Sequence, residues 1–141
     1  MRYLNEMWDR ATLTGPVYLA RDGRQVEIDG VSELPTMIMG QMRWVFIEAK
    51  TENQLEPADF ERLRTLAEMV PGCACIVATL RDAYAEVEKQ PLRDLAQLLR
   101  ERQGLLVPLT ARELLNRSEW TLEFPPHSMD EAAAKMSRYL E

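Results

Sequence analysis

The segment Arg43–Lys50 constrains the fold of this chain more than any other. It is rich in apolar β-forming residues and stops abruptly at Glu48, Ala49 and Lys50. This composition predicts a buried strand with a polar end. Because side chains alternate between the two faces of a strand, we expect Glu48 and Lys50 on the same side of the sheet.

A second strand-like segment, Gln25–Asp29, also ends in an acid. If the two strand ends meet, Asp29, Glu48 and Lys50 bring two carboxylates and an ammonium group together. Carboxylate oxygens suit hard cations such as Mg²⁺, and a bound cation can activate a water molecule for attack on a phosphodiester. The pattern therefore predicts a metal-dependent nuclease site. The alternative is that Glu48 and Lys50 form an exposed pair and that Asp29 belongs to a turn.

The composition indicates one compact domain over residues 1–141. The chain has 141 residues, of which 46% are hydrophobic, and this is enough for a proper core. The formal net charge is −6 and no run of lysine or arginine is present, which argues against extensive phosphate binding. Metal-binding acids reduce the weight of this objection, because a bound cation offsets their charge locally.

The cysteine and histidine content argues against several kinds of site, and the lengths of the apolar runs argue against a membrane protein. Cys73 and Cys75 would share one face of a strand, as small buried thiols in a reducing cytoplasm or as a redox or metal pair. His127 is the only histidine, which argues against a zinc site or a histidine nucleophile. Neither a signal peptide nor an apolar run of about 18 residues is present, so we expect a cytoplasmic protein without a membrane span.

The order of elements predicts a mixed α and β fold. Asp22-Gly23 favours a tight hairpin turn. Val31–Met42 is interpreted as an irregular connection, which either includes another strand or forms a loop that faces a partner. Pro91 is expected to open the second helix. The predicted elements are strands at Val17–Arg21, Gln25–Asp29, Arg43–Lys50, Cys73–Leu80 and Leu105–Leu109, helices from Pro57 to about Val70 and from Pro91 to about Gly104, and helix starts at the capping boxes Thr110–Glu113 and Ser128–Glu131.

This order and these motifs resemble the PD-(D/E)xK nuclease superfamily from about Val17 to Leu115. The resemblance implies an α/β (α+β) fold of the restriction-endonuclease-like kind, with a central mixed β-sheet flanked by helices. The core would cover about residues 17–115, and a C-terminal helix would follow at about 129–140.

The resemblance also implies roles for four residues. Asp29 would be the first metal-binding acid and Glu48 the second, and the backbone carbonyl of Ala49 would add a further ligand. Lys50 would polarise the attacking water or stabilise the developing negative charge. The implied activity is hydrolysis of DNA, or of RNA, with Mg²⁺ or Mn²⁺.

Some features depart from the family pattern or extend it. The family usually carries an additional acid on a first helix, for which Glu6 is the candidate, and the proline that precedes the first acid is absent here. Gln54 is a candidate polar contact with the substrate. Three arginines are candidates for phosphate contacts or are ordinary solvated charges: Arg62, Arg64 and Arg81.

The small size of the chain and its apolar segment Met37–Met39 lead us to expect that the protein binds partners. This segment either forms the interface of a symmetric homodimer or folds inward as a strand of the core. A separate sensor or DNA-binding domain or subunit is a further expected partner. Two other functional classes stay open: a non-catalytic protein- or nucleic-acid-binding module on the same fold, and a small α/β regulatory domain with a fortuitous Glu-Ala-Lys sequence.

Overall fold

The computed structural model describes residues 12–35, 41–115 and 129–141. Within these ranges the chain alternates strands and helices after an initial hairpin. The elements are β1 (Thr12–Arg21), β2 (Arg24–Pro35), β3 (Met42–Lys50), α1 (Pro57–Met69), β4 (Ala74–Thr79), α2 (Glu86–Glu101), β5 (Leu105–Leu109), α3 (Ala111–Leu115), α4 (Met129–Met136) and a final 3₁₀ turn, Ser137–Leu140.

The five strands form one mixed sheet in the order β1-β2-β3-β4-β5. The pairs β1–β2 and β2–β3 are antiparallel, whereas β3–β4 and β4–β5 are parallel. The first hairpin turns through Asp22 and Gly23, whose φ angles of 52° and 75° are positive, as a two-residue hairpin turn requires. Parallel neighbours need a long crossover, and α1 and α2 provide the two crossovers.

Helices cover both faces of the sheet. On one face the apolar stripes of α1 and α2 pack on β2, β3 and β4, and on the other face α3 and α4 pack on β3, β4 and β5. Every residue of β4 is buried, because this strand lies inside the sheet and has helices above and below it. The predicted mixed fold, with a central mixed sheet flanked by helices, is confirmed.

The second strand is longer than its local sequence suggested. Val31–Pro35, predicted as the start of an irregular connection, continues β2 and pairs with β3 from Val31–Phe46 to Pro35–Met42. Pairing with a neighbouring strand supplies hydrogen bonds that no local pattern reveals. Asp29 therefore lies within β2 and not at its end, which corrects the prediction. The segment Met37–Met39, with its predicted interface or core strand, lies outside the described residues.

The second helix begins five residues earlier than predicted. α2 starts at Glu86, and Pro91 lies inside it. The start is set by Glu88, whose carboxylate accepts the backbone N–H of Ala85 at 2.7 Å, as a capping acid does. Pro91 removes the hydrogen bond that an N–H at this position would give to the carbonyl of Val87, and its ring crowds the same carbonyl.

Other local signals agree with the structure. α1 begins at Pro57 and β5 covers Leu105–Leu109. At the start of α3 the Glu113 carboxylate accepts the N–H of Thr110 at 3.0 Å. Across the described ranges, none of the helices combines the length and the apolar character needed to cross a membrane.

Candidate functional site where strands β2 and β3 separate

The candidate site lies where pairing between β2 and β3 stops. The ladder ends at Gly30–Ile47, and the next pair in the same register would be Asp29 and Glu48. Asp29 and Glu48 therefore stand at an opening between the two strands. Their carboxylates are near neighbours, because the Asp29 charge raises the pKa of Glu48.

A bulge in β1 accompanies this opening. Thr14 pairs with Gly30 and Val17 with Ile28, so two residues of β1 stand opposite Asp29 alone. Gly15 belongs to the bulge, and a Cβ atom there would lie 2.6 Å from the Asp29 carbonyl oxygen. Because such a contact is too short, only glycine fits this close against the Asp29 backbone. The bulge thereby separates Asp29 from the regular ladder.

The side chain of Asp29 bridges the opening. Its Oδ2 accepts a hydrogen bond from the backbone N–H of Ala49 at 2.7 Å, in place of the strand partner that β2 no longer supplies. The N–H and C=O groups of one strand residue point to the same neighbour. The Ala49 carbonyl therefore faces the same opening as the Asp29 carboxylate.

Glu48 lies on the face that α1 covers and is only 3% exposed. Its Oε1 accepts a hydrogen bond from Arg62 Nη2 at 2.7 Å and lies 3.9 Å from Lys50 Nζ. Burial raises the pKa of Glu48, and the Arg62 charge opposes this rise. The neighbouring Asp29 and Asp59 charges raise the pKa further, so the net shift is upward.

Lys50 is held by Asp59, a carboxylate outside the set of site residues predicted from the sequence. Its Nζ lies 2.9 Å from Asp59 Oδ2, and Asp59 is 2% exposed at the first turn of α1. Burial by itself would raise the pKa of Asp59. The Glu56 N–H, Lys50 and Arg62 together outweigh burial, so the pKa of Asp59 is lowered.

The structure brings together four of the six residues named from the sequence. Asp29, Glu48, Ala49 and Lys50 meet at the opening between β2 and β3. Gln54 is exposed in the connection between β3 and α1. Glu6 lies outside the described residues.

The sequence around Asp59 carries a signal of its burial that the Asp29, Glu48 and Lys50 pattern does not include. It stands four and seven residues before Leu63 and Leu66, which are buried, and so shares the apolar stripe of α1. An acid on such a stripe needs a buried partner. Arg62, a candidate for phosphate contact, instead lies 2.6 Å from Asp59 Oδ1 and 2.7 Å from Glu48 Oε1.

The oxygen atoms at the opening fit a small hard cation. Asp29 Oδ2 and Glu48 Oε1 are engaged, whereas Asp29 Oδ1 and Glu48 Oε2 accept no hydrogen bond from any described residue. Together with the Ala49 carbonyl they form an all-oxygen donor set. In the part of the chain that the structure describes, no group of three His, Cys, Asp or Glu side chains could hold a metal ion. A cation held only by two carboxylates and one carbonyl would take most of its ligands from water. Mg²⁺ and Mn²⁺ accept such a set.

A further buried acid lies at the start of α2. Glu88 is 1% exposed and accepts backbone N–H groups of Leu55 and Ala85, both at 2.7 Å. Arg81 Nη2 donates to both of its oxygens, at 2.7 and 2.8 Å. Arg81 therefore serves this internal cluster, and of the three candidate arginines only Arg64 is exposed.

The two cysteines are buried and unbridged. A hydrogen bond from the neighbouring Cys75 is the largest influence on Cys73 and lowers its pKa, while the same contact raises the pKa of Cys75. Both side chains belong to the core beneath α1 and α2. Their burial agrees with the prediction of small buried thiols.

Comparison of the chain with protein-family models, with curated proteins and with solved structures gave no match.

Proposed function

We propose that this protein is a divalent-metal-dependent nuclease of the PD-(D/E)xK type, which hydrolyses phosphodiester bonds in DNA or RNA. One observation carries the proposal: Asp29, Glu48, the Ala49 carbonyl and Lys50 converge where β2 and β3 separate. The mixed sheet with helices on both faces agrees with a restriction-endonuclease-like fold.

In this proposal Asp29 Oδ1, Glu48 Oε2 and the Ala49 carbonyl hold Mg²⁺ or Mn²⁺. When bound, the cation supplies an activated water molecule and neutralises charge on the phosphate. The ammonium group of Lys50, half-buried and 3.9 Å from Glu48 Oε1, would donate hydrogen bonds to the developing negative oxygen. Arg62 compensates the Glu48 charge from the side of α1.

The charges of the site support a role for the cation in substrate binding. Three carboxylates face two cationic side chains, so the cluster keeps one negative charge: Asp29, Glu48 and Asp59 against Lys50 and Arg62. A phosphate approaching this cluster is repelled unless a divalent cation reverses the balance. The overall charge of −6 adds to this, so we propose that a second copy or a separate DNA-binding domain supplies further phosphate contacts.

The proposal is tested by a nuclease assay on single- and double-stranded DNA and RNA, with Mn²⁺ or Mg²⁺ and with chelator. Asp29→Asn and Glu48→Gln each remove a ligand. Because loss of an outer-shell partner alone costs about 10- to 100-fold in metal affinity, we expect these variants to lose more than that in Mn²⁺ affinity. Lys50→Ala should keep Mn²⁺ binding and lose turnover. Glu33→Gln, at an exposed position of the same strand as Asp29, is the matched control.

The outcomes separate the proposal from its alternatives. Equal cleavage by the wild type and all three site variants would identify a contaminating nuclease. A wild-type protein that neither binds Mn²⁺ nor cleaves any substrate would refute the nuclease. Binding of nucleic acid without cleavage would instead favour the non-catalytic binding module.

A further inference from the structure

Asp59 occupies the centre of a chain of ion pairs beside the candidate site. Its Oδ2 lies 2.9 Å from Lys50 Nζ and accepts the N–H of Glu56 at 2.8 Å. Its Oδ1 lies 2.6 Å from Arg62 Nη2. Both oxygens are thus used, and each holds one cationic side chain.

Arg62 extends this chain of contacts to Glu48. The same Nη2 atom that contacts Asp59 lies 2.7 Å from Glu48 Oε1. The order of contacts is therefore Lys50, Asp59, Arg62 and Glu48, with the two ends 3.9 Å apart. α1 contributes the two middle members, and the end of β3 contributes the two outer ones.

We propose that Asp59 is a positioning residue of the active site, which fixes the ammonium group of Lys50 beside Glu48. The inference rests on the proposed nuclease function and adds to it a residue outside the Asp29, Glu48 and Lys50 set. Asp59 acts through Lys50 and does not itself touch the cation.

A capping role alone does not account for Asp59. Capping the first turn of α1 needs one oxygen for the Glu56 N–H and is compatible with an exposed side chain. Asp59 is instead 2% exposed, and burial of a carboxylate is unfavourable unless it is paired. Two cationic side chains, Lys50 and Arg62, compensate the buried charge of Asp59. Lys50 belongs to β3 and not to the helix that Asp59 caps.

Lys50 benefits from such an anchor because its side chain is long and flexible. A lysine ammonium on a four-carbon stem loses considerable rotamer freedom when it is fixed. Small displacements of a reacting group are costly, since a shift of about 1 Å can reduce turnover about 100-fold. A buried carboxylate 2.9 Å away fixes the ammonium before the substrate arrives.

The first test compares Asp59→Asn with Glu61→Gln, which removes a negative charge from an exposed position of the same helix. For Asp59→Asn we expect kcat to fall about 10- to 100-fold, with KM and the Mn²⁺ dissociation constant close to the wild-type values. Glu61→Gln should leave all three unchanged. Asp59→Glu, which keeps the carboxylate, should restore part of the turnover and covers the case in which Asp59→Asn does not fold.

A double-mutant cycle with Lys50→Ala tests whether Asp59 acts through Lys50. If it does, Asp59→Asn has no further effect on kcat once Lys50 is absent. Additive losses would overturn the inference, and so would an active wild type in which Asp59→Asn behaves like Glu61→Gln. These results leave the proposed nuclease standing, whereas a wild type without Mn²⁺ binding and cleavage would refute the nuclease and this inference with it.

Discussion

Glu48 and Glu88 are both buried glutamates paired with an arginine, but the fold satisfies them differently. Glu88 uses both oxygens, with two backbone N–H groups and a two-pronged contact from Arg81. Glu48 uses only Oε1 for contacts with described residues, to Arg62 and Lys50. Glu48 also lies near two further carboxylates, which raise its pKa in the same direction as burial does.

The difference separates a structural acid from a candidate functional one. A buried carboxylate with every acceptor position used stabilises the native state, because its removal leaves donors without partners. A buried carboxylate beside like charges, with one oxygen unused, lowers stability unless something else binds there. Such an arrangement is typical of functional sites, where stability is given up for activity.

The largest loss of stability is expected from Glu88→Ala. This change leaves Arg81 without its carboxylate partner, and it leaves the backbone N–H groups of Leu55 and Ala85 without their hydrogen-bond acceptor. Breaking a buried ion pair costs about 3–5 kcal/mol. We therefore expect the free energy of unfolding, measured by urea denaturation, to fall by about this amount. Glu86→Ala, in the same turn but exposed, is the control and should change stability by less than about 0.5 kcal/mol. If both changes lowered the free energy of unfolding equally, the structural role assigned to Glu88 would be wrong.

An intermediate and pH-dependent loss is expected from Asp59→Asn. We expect about 1.5–3 kcal/mol at pH 7, the range for hydrogen bonds to charged groups. The pKa of Asp59 is lowered in the folded protein, so its ionised form contributes stability that is fully present above its unfolded-state pKa of about 4. This contribution is lost as the pH falls through the folded-state pKa. The difference between wild type and variant should therefore shrink below about pH 4, and a constant difference would contradict the assignment.

The smallest loss of stability is expected from Glu48→Gln, although it is buried as deeply as the other two. Burial and the nearby charges of Asp29 and Asp59 raise the pKa of Glu48 and so disfavour its charged form. In the variant, Arg62 keeps Asp59 as a partner. We expect a change in the free energy of unfolding of less than about 1 kcal/mol. Saturating Mn²⁺ should stabilise the wild type by about 2.7 kcal/mol at 100 times its dissociation constant, and should not stabilise the variant. If Glu48→Gln lowered the free energy of unfolding as much as Glu88→Ala, Glu48 would be a structural acid like Glu88, and the contrast between the two glutamates would be wrong.

Several features could be predicted because they depend on neighbouring residues. The apolar run before Glu48 predicted strand β3, and Pro57 predicted the start of α1. The spacing of Thr110 and Glu113 predicted the start of α3. Residues two to four apart in sequence determine alternation, helical stripes and caps. The nuclease hypothesis came from the same kind of pattern, in which Glu48 and Lys50 share one face of a strand.

The contacts that complete the candidate site could not be derived in this way. The Ala49 N–H finds Asp29 across 20 residues of chain. Outside the site, the Leu55 N–H finds Glu88 across 33 residues in the same way. Such pairs depend on strand register and on how a helix packs on the sheet. β2 extends to Pro35 because β3 supplies its partner, which places Asp29 inside the strand and not at its end.

The sequence by itself determined the alternation of strands and helices, the polar end of β3 and the identity of the acids and lysine. Only the tertiary structure decided that β2 and β3 separate at Asp29 and that Asp59 and Arg62 complete the charge cluster. It also decided that Glu88 uses both carboxylate oxygens, whereas Glu48 uses only Oε1 in its contacts with described residues. The physical reason is that propensity and periodicity act over a few residues. The free energy of a buried charge, in contrast, depends on every group that the fold places within hydrogen-bond distance.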